Sequence, residues 1–261
     1  MNKSFATVLC TIFLFTASLS AARADTITVA VAANFTKAAE EIGAAWHKET
    51  GNTVRFSFGP TGGLFAQINN GAPFDAFLAA DTRRPALLVK VGKATDDFVY
   101  AQGTIALYSR TLPVAADHDR VLKSGDFAHL AIANPKSAPY GAAAVAVMQK
   151  LGVYPTLKQQ GKIVDGESIA ATFQFVMTGN AQLGFVALSQ LADPASPAKG
   201  IGQYWVPPQS DYPPIEQAAV LIKDSPHADA ARNFLTFLRS PAATKIIQHY
   251  GYALPTPGKP G

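Results

Sequence analysis

The sequence predicts an α/β fold of two lobes, and three observations carry that reading. From Asp25 onward strand and helix patterns alternate, the order expected of a sheet with helices on its faces. A Pro/Gly-rich stretch over 193–214 then separates this run from one last buried strand. Third, buried strands run into helices through turns of small or hydroxyl residues at three places: 29–33 into Asn34-Phe35-Thr36, 56–58 into Gly59-Pro60-Thr61-Gly62-Gly63, and 131–133 into Asn134 and on to Tyr140-Gly141.

In order along the chain, Ile27, Val29 and Val31 alternate as a strand. Phe35, Ala38, Ala39, Ile42, Ala45 and Trp46 recur at helical spacing up to Gly51, a fitting C-terminal cap. Residues 54–58 alternate around Arg55 and Ser57, 64–68 form a short helical face closed by Asn70-Gly71, and 74–80 read as an apolar strand. Two strand–helix–strand units in succession predict mixed, mainly parallel sheets, because parallel neighbours need a crossover between them. A second block has strands at 105–108 and 130–133, a helix over 141–151 before Gly152, a strand at 163–164, a helix after Ser168 and a strand at 183–188. Beyond the short strand at 204–206 come a strand at 218–222 and helices at 228–238 and 242–250; the Pro/Gly-rich tail 254–261 is expected to fray. The chain is expected to cross between lobes twice, near 101–106 and 212–218. Residues 25–104 then begin lobe 1, 105–213 form lobe 2, and 214–261 return to lobe 1.

Residues 1–24 precede all of this and read as a secretory leader. Lys3 supplies the basic start, 5–19 the apolar run, and Ala22-Arg23-Ala24 a small-x-small cleavage site, so the mature chain is expected to begin at Asp25 in the periplasm. The apolar run is short for a membrane span. Cys10, the single cysteine, lies inside the leader, which leaves the mature protein without a disulfide, thiolate ligand or thiol nucleophile. Losing Lys3 and Arg23 lowers the net charge from +4 to about +2. No Lys/Arg run exceeds Arg83-Arg84, which argues against a nucleic-acid partner.

The strand–turn–helix junctions carry the chemistry. A helix start leaves backbone N–H groups without partners, and with the positive end of the helix dipole they form a site for an anion. In such sheets ligands sit in a crevice outside the carboxyl ends of the strands. None of the three turns holds a side chain that must be negative. Other chemistries lack their residues: Gly59–Gly63 has no P-loop lysine, G-x-S-x-G is absent, and His47, His118, His129, His227 and His249 show no metal-binding spacing. No cofactor, metal site or catalytic residue is expected.

The runs V-A-A-N-F, S-F-G-P-T-G-G-L-F-A-Q-I-N-N-G-A-P-F-D-A-F-L-A-A-D, I-A-N-P-K-S-A-P-Y-G and L-G-F-V-A-L, with the G-Y after the last helix, resemble the periplasmic molybdate-binding proteins of ABC importers. The resemblance covers essentially the whole mature chain, and its most telling part is the segment from Gly71 to Asp81. It implies a periplasmic-binding-protein-like fold whose two lobes close on their ligand. It also implies a tetrahedral oxyanion, molybdate or tungstate, held by uncharged donors, a membrane ABC permease as partner, and a monomer. Carried over by position, the contacts are Ala33 and Asn34 in the first turn, Thr61 in the second, Tyr140 before the third helix and Ile169 at a fourth. Many relatives have a hydroxyl residue in the first turn, whereas Ala33 can offer only its backbone N–H, with Asn34 supplying its amide.

Each residue also has a structural reading. Asn34 and Thr61 suit ordinary turns or caps, Tyr140 could pack its ring between lobes, and Ile169 can offer only backbone beside Ser168, the natural cap of that helix. Asp81 reads as a cap for 82–88 and Asp75 as structural. The competing functions are a receptor for another oxyanion such as sulfate, an exported hydrolase, and a sensor with the same fold.

Overall fold

The structure, a computed structural model, describes residues 24–255; residues 1–23 of the leader, with Cys10, and the end of the tail lie outside the described residues. Two five-stranded sheets, each flanked by helices, form the two lobes. In lobe 1 the strands β1 (Thr26–Ala32), β2 (Thr53–Gly59), β3 (Ala76–Leu78), β4 (Ala94–Gly103) and β10 (Ile215–Ile222) lie in the order β2-β1-β3-β10-β4. In lobe 2, β5 (Ile105–Ser109), β6 (Leu130–Ala133), β7 (Ile163–Gly166), β8 (Leu183–Ala187) and β9 (Gln203–Trp205) take the order β7-β6-β8-β5-β9. The chain passes between sheets at Thr104 and returns as it enters β10.

Parallel pairs do not predominate as expected. In lobe 1 β1 pairs in parallel with β2 and β3, while β10 is antiparallel to β3 and β4. In lobe 2 β6 is parallel to β7 and β8, while β5 is antiparallel to β8 and β9. The cause is the double crossing: each strand that arrives from the other lobe enters its new sheet from the opposite end.

Register lines up the ends that matter. Ala32 at the end of β1 pairs with Gly59 at the end of β2, so the turns after them emerge side by side. In lobe 2 Ala133 pairs with Gly166 in the same way. The helices that follow are α1 (Thr36–Thr50), reached through a short 3-10 turn Ala33–Phe35, then α2 (Thr61–Asn69), α5 (Pro139–Lys150) and α7 (Ile169–Met177). Both sheet faces are covered in lobe 1. Ile27, Val29 and Val31 pack on Phe35, Ile42, Trp46 and Phe234, while Ala30 and Phe77 face Leu64 and Leu88. Such double burial explains why β3 and β8 read as unbroken apolar runs.

The remaining helices are α3 (Arg83–Lys90), α4 (Val114–Ser124), α6 (Tyr154–Gln159), α8 (Leu188–Ala192), α9 (Ala228–Phe237) and α10 (Pro241–His249). None of the described helices is long and apolar enough to cross a membrane.

Candidate functional site

The starts of α2, α5 and α7 and the 3-10 turn before α1 converge between the lobes on one small cavity. Ala33, Asn34, Thr61, Tyr140 and Ile169 all line it, together with Ala32, Gly59, Pro60, Ala80, Ala138 and Pro139. No charged side chain is among them. The space is ≈ 10 Å³ for the centre of a water-sized sphere, far below the roughly 300 Å³ at which clefts for organic ligands begin. A space of that size holds about one water molecule, so a larger ligand needs the lobes to part slightly around it.

The donors follow from local structure. α2 begins at Thr61 after Pro60, whose backbone is extended, and Thr61 is 1 % exposed. Its hydroxyl oxygen accepts the N–H of Ala80 at 3.2 Å, which leaves the hydroxyl hydrogen free to donate. At α5 the first helical residue is Pro139, which has no N–H, so the first donor this helix can present is the N–H of Tyr140. Gly141 permits the close approach: a β-carbon there would fall 1.9 Å from the carbonyl oxygen of Ala133 at the end of β6. α7 starts at Ile169 behind Ser168, whose side chain caps the N–H of Ala171 at 3.3 Å. That cap leaves the N–H of Ile169 at the tip of the helix.

The polar side chains of Asn34 and Tyr140 are both turned toward the protein. The Asn34 amide does not reach for a ligand, because both its hydrogens are committed. Nδ2 donates to Gln217 Oε1 at 2.9 Å and to the Tyr252 hydroxyl at 3.0 Å. The Tyr252 hydroxyl donates back to the Asn34 carbonyl at 2.6 Å, and the Ser189 hydroxyl of lobe 2 reaches the same carbonyl at 3.0 Å. What Asn34 can present to the cavity is its backbone N–H. The Tyr140 hydroxyl likewise points away from the helix start, over Gly103 and the amide of Gln217 on the two crossing strands. Neither that hydroxyl nor Gln217 Nε2 has an aligned hydrogen-bond partner among the described residues.

Burial pushes the phenols of Tyr140 and Tyr100 well above the ordinary tyrosine range, and that of Tyr252 upward too. For Tyr140, the neighbouring tyrosines add to the effect and Gln217 opposes it. These groups therefore bring no negative charge to the cavity at neutral pH. Asp81 lies outside the cavity, where its carboxylate caps the N–H of Arg84 at 2.9 Å. Asp75 is structural, accepting from the Thr28 N–H and the Ser225 hydroxyl, each at 2.6 Å.

Sequence reasoning missed Gln217, Tyr252 and Ser189, which hold Asn34 in place, and Tyr100, which donates to the same Gln217 oxygen. One signal was available: Gln217, beside Glu216, is a polar residue on the threshold of the apolar run 218–222 of β10. A groove of ≈ 980 Å³ at the amino ends of β1 and β3 is far larger, yet Asp25, Asp75 and Asp224 line it beside Arg55 and Lys93. It lacks the converging helix starts.

Residues 27–253 match the family model described as bacterial extracellular solute-binding protein. The chain is 49 % identical over 233 residues to the molybdate-binding protein ModA of Rhodobacter capsulatus, covering 88 % of this chain and 89 % of that one. Against ModA of Azotobacter vinelandii it is 48 % identical over 236 residues, 90 % and 92 % of the two chains. A solved periplasmic molybdate-binding protein from Azotobacter vinelandii superposes with a TM-score of 0.84 at 36 % identity, over 88 % of this chain and all of that one.

Proposed function

The chain belongs to the bacterial extracellular solute-binding proteins, and from that membership we propose that it captures molybdate between its lobes and delivers it to the permease of an ABC importer. The observation that carries this reading is the cavity itself, walled by helix starts and one free hydroxyl with no charged side chain in its lining. Molybdate at neutral pH is a dianion with no proton to give, so each group touching its oxygens must donate. A carboxylate in the wall would instead select a protonated ligand such as hydrogen phosphate.

In this reading the donors are the N–H groups of Ala33, Asn34, Thr61, Tyr140 and Ile169 and the Thr61 hydroxyl. Hydrogen bonds to an ion are roughly twice as strong as neutral ones, and several together offset the lost hydration without a buried Arg or Lys. Tungstate has the same charge and shape and is expected to compete, whereas sulfate is separated by size alone. The protein acts as a carrier rather than an enzyme. It works as a monomer in the periplasm after its leader is removed following Ala24.

Competition calorimetry with molybdate, tungstate, sulfate and phosphate tests the proposal. Displacement of sulfate by molybdate supports it, and tighter binding of sulfate overturns it.

A further inference from the structure

The lobes are stapled together beside the anion cavity by two hydrogen bonds to consecutive carbonyls of one loop. The N–H of Gly62, in the first turn of α2, donates to the Ser137 carbonyl at 2.8 Å. Arg84 Nη2, on α3, donates to the Lys136 carbonyl at 3.1 Å. Lys136 and Ser137 lie between β6 and α5, directly before the helix start that presents Tyr140. Arg84 does not line the cavity. It is 8 % exposed, and its other guanidinium nitrogen pairs with Asp81, three residues before it in lobe 1.

We infer that Arg84 is a positioning residue for the bound state, a closure clamp whose bond to Lys136 exists only when the lobes are shut. The division of labour follows from the guanidinium fork. Asp81 and Arg84 share one lobe, so their ion pair survives opening and holds the side chain aimed across the cleft. The bond to Lys136 joins different lobes and is made on closing. Because a ligand shifts the open–closed balance only through contacts that differ between the two states, this bond adds to retention without touching the anion. A lysine can pair with Asp81 or reach the carbonyl, but it lacks the planar fork that does both.

The inference rests on the molybdate reading, and its test separates the two. Molybdate association and release are measured by stopped flow on the full mature chain, for wild type, Arg84→Lys and Arg84→Gln, with small-angle scattering on each molybdate-saturated protein. Losing a hydrogen bond to a charged group is expected to speed release by about tenfold or more in both variants. Association should stay within about twofold, and the saturated Arg84→Lys protein should scatter as a more open particle. Wild type that binds molybdate, with release unchanged in both variants, overturns the role of Arg84 alone. Wild type that binds no molybdate overturns the functional reading and this inference with it.

Discussion

The Tyr140 hydroxyl occupies the space that a side chain at Gly103 would need, for a β-carbon built on Gly103 falls 2.1 Å from that oxygen. Tyr140 belongs to a lobe 2 helix and Gly103 ends the strand that leaves lobe 1, so the aromatic ring is wedged against the crossing itself. On the proposed reading its contribution to the anion is the backbone N–H, and the hydroxyl is expected to be expendable for binding. Tyr140→Phe is expected to keep the molybdate dissociation constant within about threefold, read by calorimetry. Gly103→Ala, by contrast, is expected to cost about 1–3 kcal/mol of stability by overpacking, seen in urea unfolding. A Tyr140→Phe protein that loses binding a hundredfold would put the hydroxyl back in the site.

Thr61 is expected to be the side chain that matters most to affinity. Its oxygen is already an acceptor for Ala80, which fixes the direction of the remaining hydrogen. Thr61→Ala should weaken molybdate binding by about 1–3 kcal/mol, the worth of a hydrogen bond to an ion, while Thr61→Ser should stay close to wild type. Equal affinities for the Ala and Ser variants would remove the hydroxyl from the donor set.

Asn34 is expected to behave differently from Thr61 despite sitting in an equivalent turn. Its amide ties together Gln217 and Tyr252, and Asn34 is only 5 % exposed, so truncation leaves buried polar groups short of a partner. Asn34→Ala should therefore lower the melting temperature of the ligand-free protein, corresponding to about 1–3 kcal/mol, as well as loosen the anion. Asn34→Asp should be worse for binding, since it adds a negative charge at the cavity's edge and leaves Gln217 Oε1 and the Tyr252 hydroxyl without the donor they now share. An Asn34→Ala protein with unchanged melting but weakened binding would mean that the amide serves the ligand directly.

The contrast between these two residues shows what was legible in the sequence. The position of each turn is a local matter, fixed by a strand ending in small residues and a helix beginning two to six residues later, and all five expected residues line one cavity. The direction of the Asn34 amide is not local, because its partners lie 183 and 218 residues away. The same holds for strands. β1 and β8 announce themselves by apolar content, but β4 carries the exposed Asp96 and Asp97 side by side and borders its sheet, so its pattern never alternates cleanly. The even mixture of parallel and antiparallel pairs was hidden for a related reason: strand direction depends on which lobe the chain has come from.

The buried phenols predict how the protein fails in alkali. Tyr100, Tyr140 and Tyr252 hold their protons more tightly folded than unfolded, since burial disfavours phenolate. In the unfolded chain they titrate near pH ~10. Below that pH both states keep the protons and the stabilisation is fully present. Above it the unfolded chain releases protons that the native state retains, so stability falls as pH rises towards the folded values. Each such group adds up to about 1.4 kcal/mol per pH unit to the decline. The melting temperature is expected to be nearly level over pH 7–9 and to drop beyond about 10. Tyr140→Phe should flatten that drop by one group's share, because its hydroxyl has no aligned hydrogen-bond partner among the described residues whose loss would confuse the comparison. Urea unfolding of both proteins at pH values from 8 to 11 measures the difference in slope. Identical slopes would mean that Tyr140 ionises as easily in the folded protein as in the open chain, and so that its hydroxyl is not sealed between the crossing strands.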